Sequence, residues 1–223
     1  MVLPDPEIVV RQLGLCDYSD ALKAQQAFTR ARHFDDPDEF WVVEHPSVYT
    51  LGQAGKMEHV LDPRDVPVIR SDRGGQVTYH GPGQVVIYPL LNVKRRQLTV
   101  RGLVSSLERA VINCWQEFGL QGETRSGAPG VYVDTRKIAA LGLRISRGYS
   151  YHGLSVNVAM DLTPFERINP CGYNDLKVTD FVREGVATTT AQVAERLIKA
   201  LKREVCSEKT LGTPIAESST GLN

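Results

Sequence analysis

The run Arg73-Gly74-Gly75-Gln76-Val77-Thr78-Tyr79-His80-Gly81-Pro82-Gly83-Gln84 constrains this chain most: four glycines and a proline bracket five strand-like residues. Gln76 to His80 reads as a short strand, Gly81-Pro82-Gly83 as a turn, and the apolar Val85 to Leu91 as the strand beyond it. Glycines also let a backbone approach a ligand closely. The turn lacks the third glycine of a dinucleotide fingerprint, and Gly52 to Lys56 does not fit phosphate-loop spacing. A glycine hairpin that merely turns the chain would leave Arg73, Gln76, Thr78, Tyr79 and His80 unexplained within eight residues. The segment therefore reads as a ligand-lining strand.

Elsewhere the periodicity alternates between strand and helix. Glu7 to Gly14 reads as an opening strand and Tyr18 to His33 as a helix ending before the Asp35 to Pro37 turn. Phe40 to Glu44, Ser47 to Leu51 and Val68 to Arg70 are short strands. Leu103, Leu107, Ala110, Val111, Cys114, Trp115 and Phe118 mark a long amphipathic helix stopping at Gly119, with Cys114 on its buried face. Val131 to Val133, Lys137 to Ile145 and Tyr151 to Met160, joined by turns at Asp134-Thr135 and Arg147-Gly148, predict an antiparallel meander. Val193, Leu197, Leu201 and Val205 mark a last helix. Residues 1–209 are expected to form one α/β domain, and the Ser-, Thr- and Gly-containing tail 210–223 to be disordered.

With 223 residues, 42% of them hydrophobic, the chain can bury a core without disulfides or a structural metal. Its 26 basic side chains balance 26 acidic ones, which removes the overall attraction that nucleic acid or an anionic bilayer would exploit. No stretch approaches a membrane span, and MVLPDPEIVV lacks signal-peptide character, so a cytosolic protein is expected. Neutral charge and the absence of an obvious exposed apolar helix allow a monomer. Lys94, Arg95, Arg96 and Arg101 form a local basic patch that could dock acidic proteins, although a solvated turn explains it as well.

Cys16, Cys114, Cys171 and Cys206 include no CxxC pair and no zinc-like spacing to histidine, so no metal site is expected. Cys171 alone has a nucleophile's setting, in the turn-rich Ile168-Asn169-Pro170-Cys171-Gly172-Tyr173-Asn174. An exposed thiol without a role is the plain alternative. A nucleophilic thiol needs a neighbour that favours its thiolate. His152 could form a protease-like pair with it. Lys137, at the edge of an apolar run, would ordinarily be a solvated strand end. Spacing does not choose between them.

Several segments taken together resemble the octanoyltransferases of lipoate biosynthesis. These are Arg73 to Gln84, Gly127-Ala128-Pro129-Gly130-Val131-Tyr132-Val133, Arg136-Lys137-Ile138-Ala139-Ala140, Tyr151-His152-Gly153-Leu154-Ser155-Val156-Asn157 and Asn169-Pro170-Cys171-Gly172. The resemblance runs from about Arg11 to Val205. It implies a mixed, largely antiparallel sheet flanked by helices, similar to the catalytic domain of biotin and lipoate protein ligases. It further implies transfer of an octanoyl group from acyl carrier protein to a lysine of lipoyl domains, in 2-oxoacid dehydrogenase complexes or the glycine cleavage H protein. Cys171 would be the acyl acceptor, and Lys137 the residue that lowers its pKa and serves as general acid and base. Arg73, Gly74, Gly75, Gln76, Val77, Thr78, Tyr79 and His80, with Ala140, Leu141, Gly142, Gly153, Leu154 and Ser155, would line the acyl site. The donor is already a thioester, so neither ATP nor another cofactor is expected. The rival readings are an ATP-dependent lipoate or biotin ligase, an enzyme passing octanoyl groups between lipoyl domains, a Cys-His hydrolase using His152, and a non-catalytic binding module.

Overall fold

A computed structural model describes residues 7–170 and 176–207. The expected 210–223 tail and Cys171 lie outside the described residues.

Strands β1 (Val9–Leu15), β2 (Glu39–Glu44), β6 (Gln84–Leu90), β9 (Tyr149–Asn157), β8 (Arg136–Ser146) and β7 (Gly130–Val133) form a six-stranded sheet in that order. Only β1 and β2 run parallel; every other pairing is antiparallel, so the sheet is mixed and largely antiparallel. The β7-β8-β9 meander is present. Its second turn places both Arg147 (φ 56°) and Gly148 (φ 90°) at positive φ, the backbone that matches the twist of a two-residue hairpin. A second sheet, ordered β4 (Val68–Arg70), β3 (Val48–Leu51), β5 (Val77–His80), stands apart from the first.

β6 is buried along its whole length because it is covered on both faces. Val85 and Ile87, with Leu154 and Val156 of β9, meet helices α2 (Val100–Gln116) and α3 (Thr190–Ser207) in the main core. Val86 and Tyr88 join Trp41, Tyr151 and Ala21 of helix α1 (Tyr18–Ala31) in a smaller one. Thr99 caps α2 by accepting from the Gly102 N–H at 2.9 Å, and Cys114 is fully buried on its inner face. Asp17 caps α1 in the same way, through the Ser19 N–H.

Gly81-Pro82-Gly83 is the turn between two strands that the sequence indicates; β5 and β6 belong to different sheets, and the turn carries the chain from the small sheet to the large one. One reading changes. The basic run around Lys94 is not solvated throughout: Lys94 and Arg101 are exposed, but Arg96 turns inward. Arg96 is 1% exposed and its Nε lies 2.5 Å from Asp38, which also binds Arg32 at 2.7 Å and Arg95 at 2.9 Å. Burial alone would raise the Asp38 pKa, but Arg96, the Asn92 N–H, Arg32 and Arg95 outweigh it and hold the carboxyl below its ordinary value.

Candidate active site

The small sheet lies against the meander, and a narrow cavity of about 60 Å³ opens between them. Thr78, Val77, Gln76 and Gly75 line it from β5 and the loop before it, Ala140 to Gly142 from β8, and His152 to Ser155 from β9. Tyr18, Val86 and Tyr88 complete the lining. The two halves are tied together where the Gly74 N–H donates to the Leu143 carbonyl at 3.0 Å. A smaller cavity adjoins the first; Lys137, Ala140, Ser155 and Thr78 border both, and Pro170 and Val178 close the second.

Lys137 is not a solvated strand end. It is 4% exposed, with its Nζ 5.5 Å from the centre of the Tyr132 ring. Its N–H donates to the Lys177 carbonyl at 2.8 Å and its carbonyl accepts from the Thr179 N–H at 3.0 Å, so the chain returning from Pro170 is stitched onto β8 at this residue. Space for the side chain comes from Gly130 across the hairpin (φ 142°), where a Cβ would sit 2.3 Å from Lys137 Cε.

Arg73 borders the cavity, but its guanidinium is committed to shape. It donates to the Thr50 carbonyl (2.6 Å), to Thr50 Oγ1 and to the Gly74 carbonyl (2.9 Å), fastening the glycine loop to β3. His80 also borders it and bonds Gln84 Oε1 through Nδ1 at 2.7 Å. Gln84 Nε2 donates to Asn157 Oδ1, and Asn157 Nδ2 to the Thr179 carbonyl; that chain fixes Gln84 Oε1 as the acceptor and Nδ1 as the protonated nitrogen of His80. Burial pushes the His80 pKa down to about 3, so the ring is neutral.

Two expected lining residues stand elsewhere. Successive strand residues face opposite sides, so with Thr78 and His80 on the cavity, Tyr79 turns away. Its hydroxyl bonds Ser47 at 2.9 Å and its ring packs on Tyr49 and Phe165 in a separate core. Gly74 acts through its backbone clasp to Leu143. Sequence reasoning missed Tyr18 and Tyr88, which periodicity reads as ordinary helix and strand positions, and Asp72, which bonds His152 Nε2 at 2.7 Å.

Residues 17–202 match the family described as Lipoyl protein ligase A/B catalytic domain. The chain is 52% identical over 211 residues to an octanoyltransferase of Aromatoleum aromaticum, covering 95% of this chain and 91% of that one. It is 56% identical over 195 residues to an octanoyltransferase of Klebsiella pneumoniae strain 342, covering 87% and 91%. The chain belongs to the octanoyltransferases of this family. An octanoyltransferase is an acyltransferase, and that is the class of enzyme to which this chain belongs. The fold is shared more widely. A bi-partite lipoate protein ligase from Thermoplasma acidophilum superposes with a TM-score of 0.73 at 16% identity, covering 90% of this chain and 84% of that one. Biotin protein ligase from Aquifex aeolicus gives 0.58 at 13% identity, covering 92% and 72%. The mixed sheet flanked by helices is thus as expected. Among the described residues no helix is long and apolar enough to cross a membrane.

Proposed function

We propose that this octanoyltransferase moves an octanoyl group from acyl carrier protein onto Cys171, and from there onto a lysine of a lipoyl domain. The observation that carries the reading is the setting of Lys137. A lysine side chain is held in the interior at the junction of two cavities, one narrow and lined by the meander, the other bordered by Pro170, the residue that precedes Cys171. A cation beside a thiol favours its thiolate.

The thiolate attacks the donor carbonyl, the new S–C bond forms, and the carrier thiolate leaves with a proton from the Lys137 ammonium. The product is again a thioester, so little free energy is lost and no ATP is consumed. In the second half the incoming lysine amine attacks the acyl-cysteine. Lys137, now neutral, takes the amine's proton, and the Cys171 thiolate leaves. Ala140 to Gly142 and Gly153 to Ser155 would hold the acyl chain. The 2-oxoacid dehydrogenase complexes and the glycine cleavage H protein would supply the lipoyl domains, in the cytosol, with the enzyme acting as a monomer.

Intact-mass analysis of the protein incubated with octanoyl acyl carrier protein tests the covalent step. Wild type gains one octanoyl group, and Cys171→Ala and Cys171→Ser gain none. A persistent adduct on both variants would move the nucleophile to another residue. Modification of a lipoyl domain that required ATP and free lipoate would instead assign the ligase reaction.

A further inference from the structure

Tyr151 and His152 are neighbours in sequence, yet their rings stack, with centroids 4.9 Å apart and planes 27° from parallel. On a regular strand they would point to opposite faces. His152 departs from the strand conformation: its φ is 57°, the left-handed region that side-chain-bearing residues seldom adopt. Its surroundings enforce this. The His152 N–H donates to Gln25 Oε1 at 2.8 Å, Nε2 bonds Asp72 Oδ1 at 2.7 Å, and the Tyr151 hydroxyl donates to the other Asp72 oxygen. Strain of this kind persists only where packing over-determines it. Here it turns a ring that is 2% exposed toward the cavity.

The β8–β9 register shows where along the cavity the ring stands. Ala140 pairs with Ser155, Gly142 with Gly153 and Leu143 with His152. Ser155 shares the Lys137 end, whereas the lining stops at Gly142 on β8 and at His152 on β9. Three strand residues, from Ser155 to His152, span roughly 10 Å. A saturated eight-carbon acyl chain extends roughly 9 Å, at about 1.25 Å per projected C–C bond.

We propose that His152, held by Asp72, is the stop at the far end of the acyl cavity that limits the transferred chain to octanoyl length. This rests on the reading above that the acyl carbonyl sits at the Lys137 end. A longer chain must displace the imidazole and break its hydrogen bond to a carboxylate, while a shorter one leaves part of the lining without contacts. Asp72 is a positioning residue, acting through His152.

The test offers octanoyl, decanoyl and dodecanoyl acyl carrier proteins in competition and weighs the acylated lipoyl domain, a readout that does not depend on an adduct accumulating on the enzyme. His152→Ala should raise the decanoyl-to-octanoyl product ratio at least tenfold over wild type, and Asp72→Asn severalfold. A merely structural role would lower all lengths alike. If His152→Ala does not fold, Asp72→Asn and His152→Asn carry the same comparison. An unchanged ratio in the folded variants would overturn the proposal. Loss of the wild-type covalent adduct with the length shift intact would overturn the Cys171 reading and leave this one standing.

Discussion

Gly130 and Lys137 are matched across the β7–β8 hairpin: a Cβ on the glycine would lie 2.3 Å from the lysine Cε and 3.0 Å from its Nζ. The smallest side chain thus makes the room in which the buried lysine sits. Gly130→Ala should cost about 2 kcal/mol of stability through overpacking and an unfavourable φ. It should also cut octanoyl transfer by more than the fraction of protein unfolded. Thermal unfolding measured beside single-turnover acylation separates the two effects.

Lys137→Ala would remove the proposed proton carrier and should slow octanoyl transfer roughly 100-fold or more. Lys137→Arg keeps a cation but not a titratable amine, and in the space left by Gly130 its larger fork should rescue little. Full activity of Lys137→Arg would reassign the proton transfers to another group bordering the cavity at that end.

Asp38 sets its two oxygens against three guanidiniums, those of Arg32, Arg95 and Arg96. Asp38→Ala removes the buried carboxylate that these three guanidiniums share and should destabilise the fold by about 3–5 kcal/mol. None of these residues lines the cavity proposed to hold the acyl chain, so the folded fraction at low temperature should retain its specific activity. Denaturant titration with activity measured on the same samples checks both statements.

Stability should fall as the pH drops below about 6.5, the ordinary value for histidine. Burial lowers the pKa of His45, His80 and His152, against partly opposing contributions from Asp17 at His45 and Asp72 at His152. The sign follows from proton binding: unfolded histidines take up protons near pH 6.5, whereas folded His80 stays neutral until about pH 3, so acid favours the unfolded chain throughout that window. His80 alone should contribute a slope of about 1 kcal/mol per pH unit between pH 6 and 4. His80→Gln should flatten the dependence of melting temperature on pH.

Most element positions were readable from periodicity and turn residues, and the differences have local causes. α2 begins at Val100 rather than Leu103 because Thr99 supplies the cap, a polar signal four residues ahead of the first core side chain. β9 ends at Asn157 rather than Met160 because the Val158 and Ala159 N–H groups turn to the Gly83 carbonyl and leave the ladder. At the candidate site, Thr78, His80, Ala140 and Ser155 border the cavity, while Tyr79 faces the other way because a motif does not report which face of a strand meets a cavity.

By itself the sequence determined the strand and helix order, the meander, the glycine-rich loop and the group of residues around which the chemistry is proposed, because all of these are local patterns or runs of adjacent residues. Tertiary structure decided what those residues face. It buried Lys137 against Tyr132 and Gly130, closed the Arg96 guanidinium onto Asp38, joined the Gly74 loop to Leu143, and brought Asp72 to a His152 turned out of its strand's alternation. Apart from the Lys137 contacts, which the β7–β8 hairpin makes, these depend on partners far apart along the chain, whose distance is set by how the sheets and helices pack and not by any spacing in the sequence.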